Sequence, residues 1–179
     1  MSDNSSGFAV TDRFDAESMA AFMRQPALYW PTQDALAPPP EEVDFVGRMH
    51  TPSVWTYAAT LRGQIIGYVQ FAARTSVMSE ITVGFHPQCR GRIAKVIVQH
   101  AIGLAFRDLG VLKIIACIAT DNRAARYGVA RLGFCEEARL HNAITRPITE
   151  RNQSPLRDIV IYSLARAPAS ASNGSARHG

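Results

Sequence analysis

The sequence predicts a mixed α/β (α+β) domain: a six- to seven-stranded, mostly antiparallel sheet with helices on both faces. Three observations carry this. Residues 54–61 and 65–73 alternate apolar and polar side chains around the turn at Arg62, Gly63 and Gln64, which reads as a hairpin. Residues 80–86 alternate as well, with Ile81, Val83 and Phe85 on one parity and Glu80, Thr82, Gly84 and His86 on the other. The period then changes to helical, with Val98, Ala101, Ile102, Ala105 and Leu109 on one stripe and Gly110 as a stop.

The remaining elements follow in chain order. Residues 1–7 read as a disordered lead, and 8–11 as a short first strand. Asp15 is the expected N-cap of a helix carrying Met19, Phe22 and Met23, closed by Pro26. Residues 28–40 hold Trp30, Pro31 and a triple proline, so an irregular loop is expected. Pro40 or Glu41 starts a second helix with Phe45, Val46 and Met49 at helical spacing. Pro87 ends the 80–86 strand because it offers no donor and holds His86 extended. Residues 112–119 are almost unbroken apolar, which predicts a strand buried on both faces and a core role for Cys117. Asp121 or Thr120 caps a helix over about 122–132, ended by Gly133. A strand over 134–140, a polar loop over 142–157 and a last strand over 159–165 complete the domain, which spans 8–166. Residues 167–179 are low-complexity and read as a disordered tail.

Composition bounds the function. A chain of 179 residues with 47% hydrophobic and 19% charged content suits one globular domain. The net charge is only +4, and no basic run supports nucleic-acid binding. No apolar run approaches the ~20 residues needed to span a bilayer. The polar, acidic N-terminal segment is no secretion signal, and three cysteines without a CxxC pair fit a reduced, cytoplasmic setting. Arginine supplies 17 of the 19 cationic side chains, which suits contacts with phosphate or carboxylate. The five histidines lack ligand spacing, so no metal is expected.

The chemistry concentrates at Gln88-Cys89-Arg90-Gly91-Arg92. A strand that delivers a glycine loop into a helix start exposes unpaired N–H groups at the positive end of the helix dipole. Arg90, Arg92 and Lys95 add charge there. The same spacing also fits an ordinary strand-to-helix turn with solvated arginines. Cys89 reads as a small filler of this loop.

The stretch EITVGFHPQCRGRIAK, the helix after it, DNRAARYGVARLGF and the closing DIVIYSLAR together resemble the GCN5-related N-acetyltransferases. The branch most similar acetylates ribosomal-protein N-termini. The resemblance covers about 8–166 and implies a sheet splayed between its fourth and fifth strands. It implies acetyl-CoA as co-substrate and an amine acceptor, a small molecule or a peptide N-terminus, with homodimerisation left open. It assigns the pantetheine arm to backbone near Ile81, Thr82 and Val83. The pyrophosphate falls to Gln88, Cys89, Arg90, Gly91, Arg92, Ile93, Ala94 and Lys95, and a further contact to Asn122.

The family loop ends in Gly or Ala where this chain has Ile93. The family's proton-donating Tyr or Ser falls at Val129 or Ala125, and Tyr127 points to the other side of that helix. Glu80 is the first candidate to take the amine proton and His86 the second, each with a plain structural alternative. A backbone N–H near Val83 or Gly84 would hold the oxyanion. Tyr29, Trp30, the second helix and the 141–157 loop are expected to wall the acceptor pocket. Glu41, Glu42 and Asp44 serve either to attract a cation or simply to begin the second helix. A catalytically weakened module on the same fold is the alternative reading.

Overall fold

The computed structural model describes residues 7–25, 28, 43–145 and 156–166. The element order matches the one expected: β1 (Phe8–Thr11), α1 (Ala16–Met23), α2 (Phe45–Met49), β2 (Val54–Leu61), β3 (Gln64–Ala73), β4 (Met78–Phe85), α3 (Arg92–Asp108), β5 (Lys113–Ala119), α4 (Arg123–Arg131), β6 (Cys135–Thr145) and β7 (Leu156–Ala165). The seven strands form one sheet in the order β1-β2-β3-β4-β5-β7-β6. Every neighbouring pair is antiparallel except β4 and β5.

Each face of the sheet builds its own core. Val69, Phe71, Phe85, Ile114 and Val160 pack with Ile97, Val98, Ala101, Ile102 and Ala105 of α3 on one side. Ala58 and Tyr68 pack with Met19, Ala20, Phe22 and Phe45 of α1 and α2 on the other. The helical stripe on α3 is therefore its buried face.

Local chemistry sets the element ends. Asp15 caps α1, its carboxylate accepting from the Ser18 N–H at 2.7 Å. Arg62 and Gly63, at φ 51° and 82°, form a two-residue turn between β2 and β3, and Gln64 already pairs with Leu61. Asp44 accepts from the Gly47 N–H at 2.8 Å and caps α2. That helix starts at Phe45 rather than at Pro40 or Glu41, which lie outside the described residues. The cap of α4 is Asn122, not Asp121 or Thr120, because the Asn122 side-chain oxygen accepts from the Ala125 N–H at 3.1 Å.

Three further expectations are corrected. Residues 142–145 and 156–157, read as loop, are strand, because Ile144 pairs with Arg157 and Thr145 with Leu156. A register shift between Leu140 and Ile144 absorbs the irregular stretch. There Asn142 adopts φ 52°, and Asp158 accepts from its N–H at 3.0 Å. Strand β5 is buried along one face, through Ile114, Ala116 and Ile118, whereas on the other Lys113 and Ile115 are half-buried, Cys117 is exposed and Ala119 is buried. Cys117, expected in the core, is exposed, since β4 has already left its side. His86 lies just beyond β4 instead of within it.

Two glycines let β3 and β4 approach. Gly67 pairs with Phe85 and Gly84 with Tyr68, and each aromatic ring lies over the opposite glycine. A Cβ on Gly84 would come within 2.3 Å of the Tyr68 ring, and one on Gly67 within 2.2 Å of Phe85. Gly84→Ala is thus expected to lower stability by about 1–3 kcal/mol through overpacking. Urea denaturation measures this, and an unchanged midpoint would mean that Tyr68 swings aside without cost.

Candidate active site

Strands β4 and β5 pair only at Met78–Lys113, Ser79–Ile114 and Glu80–Ile115. Beyond Glu80, β4 continues to Phe85 against β3 alone. Past that point its other edge has no strand partner among the described residues. Backbone groups on such an edge can pair with an extended ligand as a strand would. Thr82 and Val83 are exposed along this stretch, Val83 by 47%.

The chain then folds into the turn expected to meet an anion. Pro87, Gln88 and Cys89 make one 3-10 turn. Cys89 is buried as a filler, and its N–H is used by the His86 carbonyl at 2.8 Å. The Arg90 N–H goes to the Pro87 carbonyl at 3.4 Å, and its guanidinium Nε to the Phe85 carbonyl at 3.3 Å. Gln88 is exposed.

Gly91 occupies the N-cap of α3 at φ 86° and ψ −124° and brings no capping side chain. The Lys95 N–H closes the first helical bond to the Gly91 carbonyl at 3.0 Å. The N–H groups of Arg92, Ile93 and Ala94 have no partner among the described residues, so three aligned donors sit at the positive helix end. Nothing lies within 4 Å of the position a Gly91 Cβ would take. Arg92 and Ile93 are exposed, so Ile93 does not fill the turn. These residues would suit a diphosphate, and the amides left for one are those of 92–94, because the amides of Cys89 and Arg90 are engaged.

Asn122 stands on the other side of the splay, at the start of α4. Its oxygen is spent on the cap, which leaves its amide NH₂ for a ligand. Ala125 and Val129 pack on the main core, whereas Tyr127 is 64% exposed and its hydroxyl accepts from Arg131 at 3.0 Å.

Glu80 sits where the strands part. The Arg74 guanidinium holds its carboxylate, Nε donating to Oε2 at 2.8 Å and Nη2 to the same oxygen. His86 stands six residues further along, roughly 20 Å at strand spacing. The two candidate bases therefore cannot serve one proton. The His86 ring makes no hydrogen bond among the described residues, while its backbone N–H ties to the Ile66 carbonyl at 2.9 Å.

On the acceptor side, Asp44 is a cap. Tyr29, Trp30, Glu41, Glu42 and residues 146–155 lie outside the described residues. Arg157, 4% exposed, reaches Asp121 at 3.4 Å and the Thr145 carbonyl at 3.3 Å, tying the turn before Asn122 to the end of β6. Sequence reasoning missed Arg157 and Arg74, since single arginines in polar stretches carry no periodic signal. A cavity of about 590 Å³ lined by Trp55, Tyr57, His100 and Asp108 lies elsewhere, near the C-terminal end of α3. Its lining begins at His100, eight residues or roughly 12 Å along α3 from Arg92.

The family model for the acetyltransferase (GNAT) domain matches residues 9–135. The chain belongs to the GNAT acetyltransferases. Acetyl-CoA is the co-substrate of this family, and acetyl transfer to an amine is its reaction. Solved structures agree on the fold. Spermidine N-acetyltransferase from Vibrio cholerae, in complex with CoA and spermine, superposes with a TM-score of 0.71 at 15% identity, covering 89% of this chain and 96% of that one. A GNAT-family acetyltransferase from Streptococcus pneumoniae gives 0.68 at 18%, covering 89% and 99%. Ribosomal-protein-S5-alanine acetyltransferase from Vibrio fischeri gives 0.66 at 18%, covering 89% and 93%. The ribosomal-protein branch is thus one of several similar groups. No curated protein matches the sequence. No helix among the described residues is long and apolar enough to cross a membrane.

Proposed function

We propose that this GNAT acetyltransferase acetylates a primary amine, on a small molecule or a peptide N-terminus, by direct attack of the amine on the thioester. The observation that carries the reading is the continuity of the unpaired β4 edge after Glu80 with the uncapped amides of Arg92, Ile93 and Ala94. Acetyl-CoA supplies the activated acetyl group. The amides at 92–94 would bind its pyrophosphate, with Arg92 and Lys95 nearby. Backbone at Ile81, Thr82 and Val83 would align the pantetheine arm, and the Asn122 amide would close the far side. An amine attacks only when deprotonated, and in this reading Glu80, at the parting of the strands, takes its proton. His86, at the far end of β4, is a structural residue in this reading.

The second reading is a module that binds the nucleotide but transfers slowly. Ala125 and Val129 favour it, since the positions of the family's proton donor hold core side chains.

One experiment separates these readings. Acetyl-CoA at about 100 times its dissociation constant should stabilise the protein by roughly 2.7 kcal/mol, a melting shift of about 5–10 °C for this size. CoA thiol release is then followed across spermidine, spermine and a peptide with N-terminal alanine. Absence of a shift at millimolar acetyl-CoA removes the co-substrate site. A shift without thiol release selects the binding module.

A further inference from the structure

Arg157 is the one charged side chain buried among the described residues, and the reaction outlined above makes no use of it. It lies near the start of β7, opposite Ile144, and its side chain is 3% exposed. The guanidinium works in two directions. Nη1 donates to the Asp121 carboxylate at 3.4 Å, and Nη2 donates to the Thr145 carbonyl at 3.3 Å. Asp121 immediately precedes Asn122, the residue assigned to the far side of the co-substrate. Thr145 closes β6, and β7 begins at Leu156. The buried cation therefore joins the turn that leads into α4 to the end of the β6–β7 pair.

The near end of that turn is held separately. Arg126 of α4 donates from Nη1 to the Thr120 carbonyl at 3.1 Å and from Nε to the Tyr162 hydroxyl at 2.9 Å. The Thr120 N–H donates to the Asp158 carbonyl at 3.0 Å. Thr120 is thus tied to α4 and β7 without help from Arg157. The Asp121 side chain, one residue nearer to Asn122, is what Arg157 holds.

Stability is a poor account of this arrangement. A buried ion pair is often no better than apolar side chains of the same volume, and this one is long, with its carboxylate 42% exposed. A guanidinium supplies direction instead, as a rigid fork that meets a carboxylate on one side and a carbonyl on the other. What it directs is the start of α4. The Asn122 side-chain oxygen accepts from the Ala125 N–H at 3.1 Å, so the NH₂ on the same carboxamide is aimed by that first turn.

We propose that Arg157 is a positioning residue for Asn122, holding the turn so that the Asn122 amide faces the co-substrate. The role rests on the reading of Asn122 given above.

The test begins without turnover, as calorimetric titration of the full chain with CoA. Asn122→Ser keeps a capping oxygen and removes the carboxamide. It should weaken CoA by about 3–10-fold, the worth of one hydrogen bond. Arg157→Met should weaken CoA by a similar factor. The double variant should stay within about twofold of Asn122→Ser alone, because an amide that is absent cannot be misaimed. In turnover, Arg157→Met should raise KM for acetyl-CoA and leave kcat within about twofold of the parent. Arg157→Lys keeps the charge without the fork and should fall between parent and methionine variant. It runs the same cycle if the methionine variant does not fold.

Factors that multiply in the double variant overturn the proposal, and so does an Arg157→Met protein that binds CoA like the parent. Unchanged affinity in Asn122→Ser overturns it as well, by removing the contact that Arg157 would aim. Absence of CoA binding and of the acetyl-CoA melting shift in the parent is a different failure, that of the co-substrate site itself, and it takes the positioning role with it.

Discussion

Glu80→Gln should lower kcat/KM for acetyl transfer at pH 7 by about 10²–10³-fold for a lysine-like amine and by about tenfold or less for an α-amine, because the loss is bounded by the share of amine that is already deprotonated. The substitution keeps shape and removes the negative charge, and with it the capacity to take a proton and the ion pair with Arg74. It should not unfold the protein, because the ion pair with Arg74 is partly open to solvent. The guanidinium side chain is 54% exposed, and pairs of that kind contribute about 0–1 kcal/mol. The melting shift with acetyl-CoA should persist, since the amides at 92–94 lie at the other end of the strand. The defect should depend on pH with a definite sign. An α-amino group has a pKa of about 7.7–8.0 and a lysine-like amine about 10.4, so each becomes self-sufficient as the pH passes its own value. Loss of the base should therefore matter most at low pH, fade by about pH 9 for an α-amine and persist there for a lysine-like amine. Full activity of the variant at pH 7 would transfer the proton to bulk water and return Glu80 to a structural role.

That prediction concerns a residue readable from the sequence, and the reason is periodicity. Alternation over 80–86 placed Glu80 on a strand, and the change of period at Ile93 marked where that strand meets a helix. Both are local patterns, so the hairpin, the α3 stripe and the turn between β4 and α3 were legible. What was not legible depends on partners distant in sequence. Residues 142–145 are too polar to read as strand, and they are strand because β7 offers a register for Ile144 and Thr145. Cys117 sits in an apolar run and looks internal, yet the parting of β4 from β5 two residues earlier exposes it. The Gly84–Tyr68 contact is likewise invisible until the register of β3 and β4 is known. Even the cap of α4 turned on a local detail, since Asp121 and Asn122 are both good caps and only Asn122 has the Ala125 N–H in reach.

The second large effect is expected at Gly91. Its φ of 86° with ψ −124° is a region that residues with a side chain avoid, and a β-branched residue most of all. Space is not the obstacle, because nothing lies within 4 Å of a Cβ built there. Gly91→Val therefore has two outcomes that share one cost. If the backbone holds, the fold carries the strain of about 1–3 kcal/mol and the amides of Arg92, Ile93 and Ala94 stay aligned. If the backbone relaxes, stability is kept but the first turn of α3 is displaced and the anion grip is lost. The loop is exposed and uncapped, and nothing packs over Gly91, so relaxation is the easier path. Acetyl-CoA affinity should then fall by about 10–100-fold, the equivalent of the strain released, with little change in melting of the free protein. Gly110 provides the control. It has φ 67° and equally open surroundings at the opposite end of α3. Gly110→Val should either lower stability or be absorbed locally, and in both cases leave acetyl-CoA binding intact. Calorimetric titration of the two variants decides the matter. Equal affinities would mean that the helix start does not hold the diphosphate, and the co-substrate would have to be gripped by side chains alone.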